Sequence, residues 1–288
     1  MMRYLLLAAL LCLASLKVTI QSSLSRRFLQ NTTDVVVYNM AVFFTIGGVY
    51  LIINGATLPS AGTLIISLIY GLLSVLFQML YTAALKCGPV SLTVMISNFS
   101  IGITTLFGIL YYHETLTTVN ILGFVAITAS LILSADLKSA SKQKFSGKWL
   151  LMSLSTLFLN GFACVVSALH SNMMPEANNT FMAISYTFGG VLLLIFWLFR
   201  RRTEPETIPL KPARILPLMS VGAVLCIYLP LYLRGVQLFD VSIYYPVINA
   251  GSSTLISVIG IFLFKDKLNP MQIAGLLLGT LSIILLTI

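Results

Sequence analysis

An all-α polytopic membrane protein, with ten transmembrane helices in two inverted five-helix repeats, is the fold class predicted by three features of the sequence. The 288 residues are 58% hydrophobic and only 9% charged, whereas soluble domains carry about 25% charged residues. The apolar residues gather into ten runs of about 20, each enough to cross a hydrocarbon core of roughly 30 Å as a helix. A hairpin of two such runs near the C-terminus, from Tyr232 to Ile288, also has a counterpart from Tyr81 to Ser134.

In chain order the runs fall at 3–24, 35–54, 62–85, 88–111, 117–136, 149–170, 180–199, 214–233, 240–263 and 270–288. The first has one basic residue, an apolar stretch and small residues near Ala14, as a cleavable signal would. Its removal would leave nine spans and unequal halves, so it is read as the first helix. The breaks carry the punctuation of water-exposed turns: Arg26 and Arg27, Asn54 and Gly55, Gly88 and Pro89, a Lys-rich stretch from Lys138 to Lys148, and a longer linker from Arg200 to Arg214. The charged corner from Lys265 to Pro270 cannot lie in lipid. This divides the chain into a first repeat (1–136), a basic connecting loop (137–148) and a second repeat (149–288). Five is odd, so the second repeat starts on the opposite side of the membrane. The repeats are then related by a pseudo-two-fold axis in the membrane plane, a device of alternating-access carriers.

The two hairpins align with one residue inserted at the corner. Tyr81 matches Tyr232, Val90 matches Val241, Ser91 matches Ser242 and Asn98 matches Asn249; past the corners Leu116 matches Leu268, Gly123 matches Gly275, Thr128 matches Thr280 and Ser130 matches Ser282. Apolar matches are common by chance in membrane sequences, so the Asn, Gly and Tyr pairs carry the repeat. The run YYPVINAGSSTLISVIGIFLFKDKLNPMQIAGLLL resembles the last two helices of the small multidrug resistance family and the repeated EamA-type half of the drug/metabolite transporter superfamily. The resemblance lies in an aromatic-rich helix, a charged corner with an acidic residue before a Leu (Asp266 and Leu268, Glu114 and Leu116), and a closing helix bearing Gly275 or Gly123. It implies a ten-helix permease in a bacterial inner or plasma membrane.

Fourteen of the 17 Lys and Arg lie in the loops away from the termini, leaving only Arg3 and Arg234 on the terminal side and Lys17 within a span. By the positive-inside rule both termini face outward. The net charge of +9 therefore signals topology and not a nucleic-acid surface, since the basic residues sit in short loops beside helices. Cys12, Cys87, Cys164 and Cys226 are scattered with no CxxC spacing, so neither a metal site, a disulfide framework nor a cofactor is expected. The sequons at Asn31 and Asn178 fall on opposite sides, so at most one can be glycosylated.

The candidate substrate-binding residues are polar groups within the spans. Lys17 lies two-thirds of the way along the first run, where a charge costs roughly 3 kcal/mol. It either attracts a carboxylate or phosphate in a cavity or snorkels to the basic interface. Gln21, one turn on, shares its face. Asn98 and Asn249 are the symmetric pair, positioned to bond a solute or to bond a neighbouring helix. Gln78, Tyr81 and Asn160 are further polar residues within spans. The resemblance places Tyr245 where the small multidrug resistance family has a substrate-contacting aromatic, with Tyr244 beside it. Tyr228 and Tyr232, one turn apart, form either an aromatic wall or part of an interfacial belt. His170 is read as solvated at a helix end, Glu114 and Asp266 as capping or solvated corner residues, and Asp240 as a helix N-cap.

The small multidrug resistance proteins carry a proton-exchanging glutamate in their first helix, and the corresponding region here, around Leu13 and Ala14, has no carboxylate. No GxSxG, HExxH or Walker motif occurs, so no enzyme is expected. The expectation is a permease for a small polar or amphiphilic metabolite, zwitterionic or anionic in view of Lys17, rocking one five-helix half against the other. The expected partners are that solute and the bilayer, with coupling to a proton or cation gradient open and the carrier a monomer or homodimer. The alternatives are an exporter holding organic cations in an aromatic cage and a non-transporting scaffold or receptor.

Overall fold

The computed structural model describes residues 2–28, 32–54, 58–87, 93, 96–134, 146–203, 212–259 and 270–287. Among them are ten α-helices and no strand: α1 (Met2–Phe28), α2 (Thr32–Asn54), α3 (Ala61–Cys87), α4 (Ile101–Tyr111), α5 (Thr118–Ser134), α6 (Gly147–Met173), α7 (Asn178–Thr203), α8 (Pro212–Leu238), α9 (Val241–Ile259) and α10 (Pro270–Thr287). A 3-10 turn, Pro175–Ala177, joins α6 to α7. Lipid offers no hydrogen bonds, so sequences this apolar must satisfy their own backbone, and the helix does so within one segment. Seven helical stretches are long and apolar enough to cross a membrane, and Ile96–Tyr111 and Thr118–Leu133 are shorter apolar ones. In α9 the serines, tyrosines and Asn249 dilute the apolar character.

Proline placement explains much of the local geometry. Pro212 and Pro270 are the first residues of α8 and α10, a position where the missing N–H costs nothing. Pro230 and Pro246 lie inside α8 and α9, and each removes the donor for the carbonyl four residues earlier. Neighbouring helices supply the replacement. The Tyr50 hydroxyl of α2 donates to the Cys226 carbonyl at 2.6 Å, and the Thr105 hydroxyl of α4 donates to the Ser242 carbonyl at 3.3 Å.

The fourth span departs from the sequence expectation of one continuous helix over 88–111. Ile96–Asn98 is helical, Phe99 and Ser100 form a turn, and the regular helix starts at Ile101. Across the break the amides of Phe99, Ser100, Gly102 and Ile103 bond three residues back, the tighter 3-10 pattern. Gly88, Pro89, Asp266, the basic loop from Lys138, most of the linker after Arg200 and the Asn31 sequon lie outside the described residues.

The chain forms two compact units, and neither is a sequence repeat. One comprises Met1–Ser15, Leu80–Val165 and Gly235–Ile288; the other comprises Leu16–Met79 and Val166–Arg234. Each draws on both repeats, so compactness runs across the repeats and not along them. Within each unit, helices that correspond in the two repeats pack together: α4 with α9 and α5 with α10 in the first, α2 with α7 in the second. Small residues allow the approach. A Cβ on Gly123 would meet the Leu286 side chain at 2.8 Å, and one on Gly47 would meet Thr187 Oγ1 at 2.5 Å. The Ser130 hydroxyl of α5 donates to the Gly275 carbonyl of α10 at 2.6 Å.

Candidate solute-binding site

Helix α1 carries its buried residues as a stripe of Leu7, Leu10, Ala14 and Leu24. The spacing of three and four residues keeps these on one face, and Lys17 and Gln21 occupy the two positions of that stripe between Ala14 and Leu24. Tyr4, Leu5, Cys12 and Leu16 are exposed on other faces. Lys17 therefore lies on the side of α1 that carries its buried residues. Ile20 and Leu24 pack on the hydrophobic core of the second unit. Lys17 and Gln21 are half-buried, and neither has a hydrogen-bond or charged partner among the described residues.

The second unit also holds a group of aromatic side chains. Tyr228 and Tyr232 pack with ring centroids 5.3 Å apart and lie against the core of that unit. Tyr70 of α3 sits 6.2 Å from Tyr186 of α7, edge to face, and 5.0 Å from Phe181. Tyr186 also packs on Phe43 at 5.2 Å. Tyr70 and Tyr186 escaped the sequence reading because neither has a matched partner in the other repeat; their signal was a lone tyrosine within an apolar helix. Asp34, buried in the first turn of α2, was passed over because it precedes the apolar run at 35–54. Gln78 and Tyr81 of α3 are half-buried and already engaged by neighbouring groups.

In the first unit, Asn98 and Asn249 fall on the packed pair of the fourth span and α9. Both side chains are half-buried and uncommitted among the described residues. Asn160 is different: its Nδ2 donates to the Ser100 hydroxyl at 2.7 Å and so ties α6 to the break in the fourth span. Tyr244 and Tyr245 are each 1% exposed. The Tyr245 hydroxyl donates to the Cys164 carbonyl at 2.8 Å, and Tyr244 stacks on Phe239. As placed, these two offer a solute no surface, contrary to the cavity-facing position implied for Tyr245 by the family resemblance.

The acidic residues outside the spans act on helix ends. Glu114 accepts from the amides of Val241 at 2.7 Å and Ser242 at 2.8 Å, so the corner of the first repeat caps α9 of the second. A positive φ of 55° at His113 turns the chain so that Glu114 N–H reaches the Gly108 carbonyl at 3.3 Å; histidine is among the residues that tolerate this region. Asp240 precedes α9 but is exposed, and Glu114 takes the capping role expected of it. Partial desolvation and then the Glu114 charge push the Asp240 carboxyl above the usual carboxylate range. His170 is 0% exposed, so the solvated position read for it is corrected: its ring stacks on Phe181 with centroids 4.3 Å apart. No cluster of His, Cys, Asp and Glu suited to a metal occurs among the described residues.

Comparison with known proteins adds family to this geometry. The EamA-like transporter family model matches residues 3–135 and again 147–288. A solved structure described only as the crystal structure of a protein superposes with a TM-score of 0.71 at 14% identity, covering 97% of this chain and 98% of its own. At that identity the likeness establishes the fold. No curated protein matches the chain. With both repeats matched by one family and seven helical stretches long and apolar enough to cross a membrane, this integral membrane protein belongs to the EamA-like transporter family.

Proposed function

We propose that the chain is an alternating-access carrier for a small anionic or zwitterionic solute, with the Lys17 ammonium holding the anionic group. The observation that carries the proposal is Lys17 on the buried stripe of α1, with no countercharge among the described residues. An uncompensated cation in a membrane interior costs several kcal/mol, and a bound carboxylate or phosphate supplies the missing partner. Gln21, at the next position of the stripe, offers a neutral hydrogen-bonding group beside it. The uncommitted Asn98 and Asn249 are the further candidates for solute contact, while Asn160, Tyr244 and Tyr245 are assigned to holding helices in place. One five-helix half is taken to rock against the other, and inverted repeats supply the symmetry that two access states require.

A second reading has its own support. Tyr70, Tyr186, Tyr228 and Tyr232 belong to one compact unit with paired rings, and aromatic faces hold quaternary ammonium groups without a carboxylate. Charge reversal separates the two. Lys17→Glu abolishes anion binding under the first reading and improves organic-cation binding under the second. Stronger anion binding by Lys17→Glu in a direct binding assay would sink the lysine assignment.

A further inference from the structure

We propose that His170 is a proton-binding group, and that its protonation unlatches the corner between α6 and α7. The ring is held at 0% exposure near the end of α6. Asn178 Nδ2 donates to the Ser171 hydroxyl at 3.3 Å, and Ser171 in turn donates to the Leu233 carbonyl of α8 at 2.8 Å. The Asn178 amide is thereby oriented with its oxygen toward His170, 3.2 Å from Nδ1. An amide oxygen only accepts, so Nδ1 carries the proton and the ring is the neutral Nδ1–H tautomer. Nε2 is then a bare lone pair, buried and without a hydrogen-bond partner among the described residues.

That arrangement suits a neutral ring and opposes a charged one. A proton arriving from water forms an N–H bond at Nε2 and places a positive charge where no acceptor waits. The stack on Phe181 gives an imidazolium some cation–π attraction, but through the ring face, and the new N–H lies in the ring plane. Among the described residues no charged side chain compensates: Asn178 is the polar partner of the ring, and Glu176 on the corner and Arg234 near the end of α8 are both exposed. Phe181, on which the ring stacks, also packs on Tyr70. Water is close, since α6 ends at Met173, so the protonated ring is relieved by leaving the stack. Its departure takes the donor from the Asn178 oxygen and so loosens the Asn178 amide that ties α7 to Ser171 of α6. It also uncovers Phe181, which packs on Tyr70 and through it on Tyr186. Proton binding thus reaches the tyrosine cluster of the same unit. The latch does not depend on Lys17 holding the solute.

The chain has two histidines, so His113→Gln leaves one ring to follow in the full chain in detergent micelles. Nitrogen-15 spectra of the labelled histidine at pH 7.5 should show the proton on Nδ1. Between pH 7.5 and 5, hydrogen exchange of amides 170–182, corrected for the intrinsic pH effect, should rise roughly tenfold as the ring charges. The rise should be absent in His170→Gln, whose amide can still donate to Asn178. In Asn178→Asp a carboxylate pairs with the imidazolium in the closed state, and opening should move to lower pH. That variant keeps the test alive if His170→Gln does not fold. A proton on Nε2, a ring that charges with no change in exchange, or the same rise in His170→Gln overturns the proposal.

Discussion

Tyr50→Phe removes one oxygen and tests how this protein accommodates a proline in a membrane helix. In the native chain Pro230 leaves the Cys226 carbonyl without its helical donor, and the Tyr50 hydroxyl takes that place at 2.6 Å. Tyr50 is 3% exposed, so phenylalanine fills the same space and water does not replace the hydroxyl. The orphaned carbonyl should cost about 1–3 kcal/mol, or roughly 3–10 °C in melting temperature at a few degrees per kcal/mol. Pro230→Ala restores an N–H four residues after Cys226. In that background Tyr50→Phe should cost less than about 1 kcal/mol, giving a coupling energy of about 1–2 kcal/mol in the double-mutant cycle. Melting curves of the four proteins in one detergent read it directly. Equal losses in both backgrounds would show that the hydroxyl does not serve the proline-freed carbonyl.

Other outcomes follow from the same bonds. Glu114→Ala leaves two buried amides at the start of α9 without an acceptor; Asp240 stands ready as a substitute cap, so the loss should be about 2–3 kcal/mol, and Glu114→Ala with Asp240→Ala should be less stable than the sum of the two single effects, as read by thermal melts. Asp240 has a raised folded-state carboxyl, so its contribution to stability is present below the ordinary aspartate range and is lost as pH rises through the folded value. Asp240→Asn should therefore raise the melting temperature at pH 7, with the gain vanishing near pH 4, and no gain at pH 7 would contradict the origin assigned to the shift. Tyr245→Phe should lower stability by about 1 kcal/mol through the lost bond to the Cys164 carbonyl while leaving ligand affinity unchanged in a titration. Gly47→Ala puts a methyl 2.5 Å from Thr187 Oγ1 and 2.7 Å from its backbone nitrogen, and overpacking of about 1–3 kcal/mol should appear as a lower melting temperature.

Helix count and element type were legible because lipid demands unbroken apolar runs, and the ten runs from 3–24 to 270–288 correspond to the ten helices. Repeat symmetry was legible through the Gly123 and Gly275 match, and both glycines prove to lie where α5 meets α10. What the sequence concealed was pairing at a distance. Nothing adjacent to Pro230 or Pro246 announces that Tyr50 and Thr105 will serve their orphaned carbonyls, since those donors come from other helices. Glu114 could be read as a cap, but not as the cap of a helix more than 120 residues away. The break at Phe99 and Ser100 contains no proline, and its tie to Asn160 is tertiary. Lys17 was ambiguous from its position alone. The burial of Leu10 and Ala14 on its own stripe is what supports the cavity-facing proposal.

The most direct test of the anion-carrier proposal is a thermal-shift screen of the purified protein in detergent against small carboxylates, phosphates, zwitterions and quaternary amines, run in parallel on Lys17→Ala. A ligand at 100 times its dissociation constant should stabilise the folded state by about 2.7 kcal/mol. Losing a charge-assisted contact worth about 1.5–3 kcal/mol should weaken it ten- to a hundredfold in the variant. Lys17 as the anion-holding group predicts stabilisation by a carboxylated or phosphorylated compound that falls to about 0.4–1.4 kcal/mol in Lys17→Ala. Stabilisation confined to quaternary amines, and equal in both proteins, would contradict it and move the site to the tyrosines.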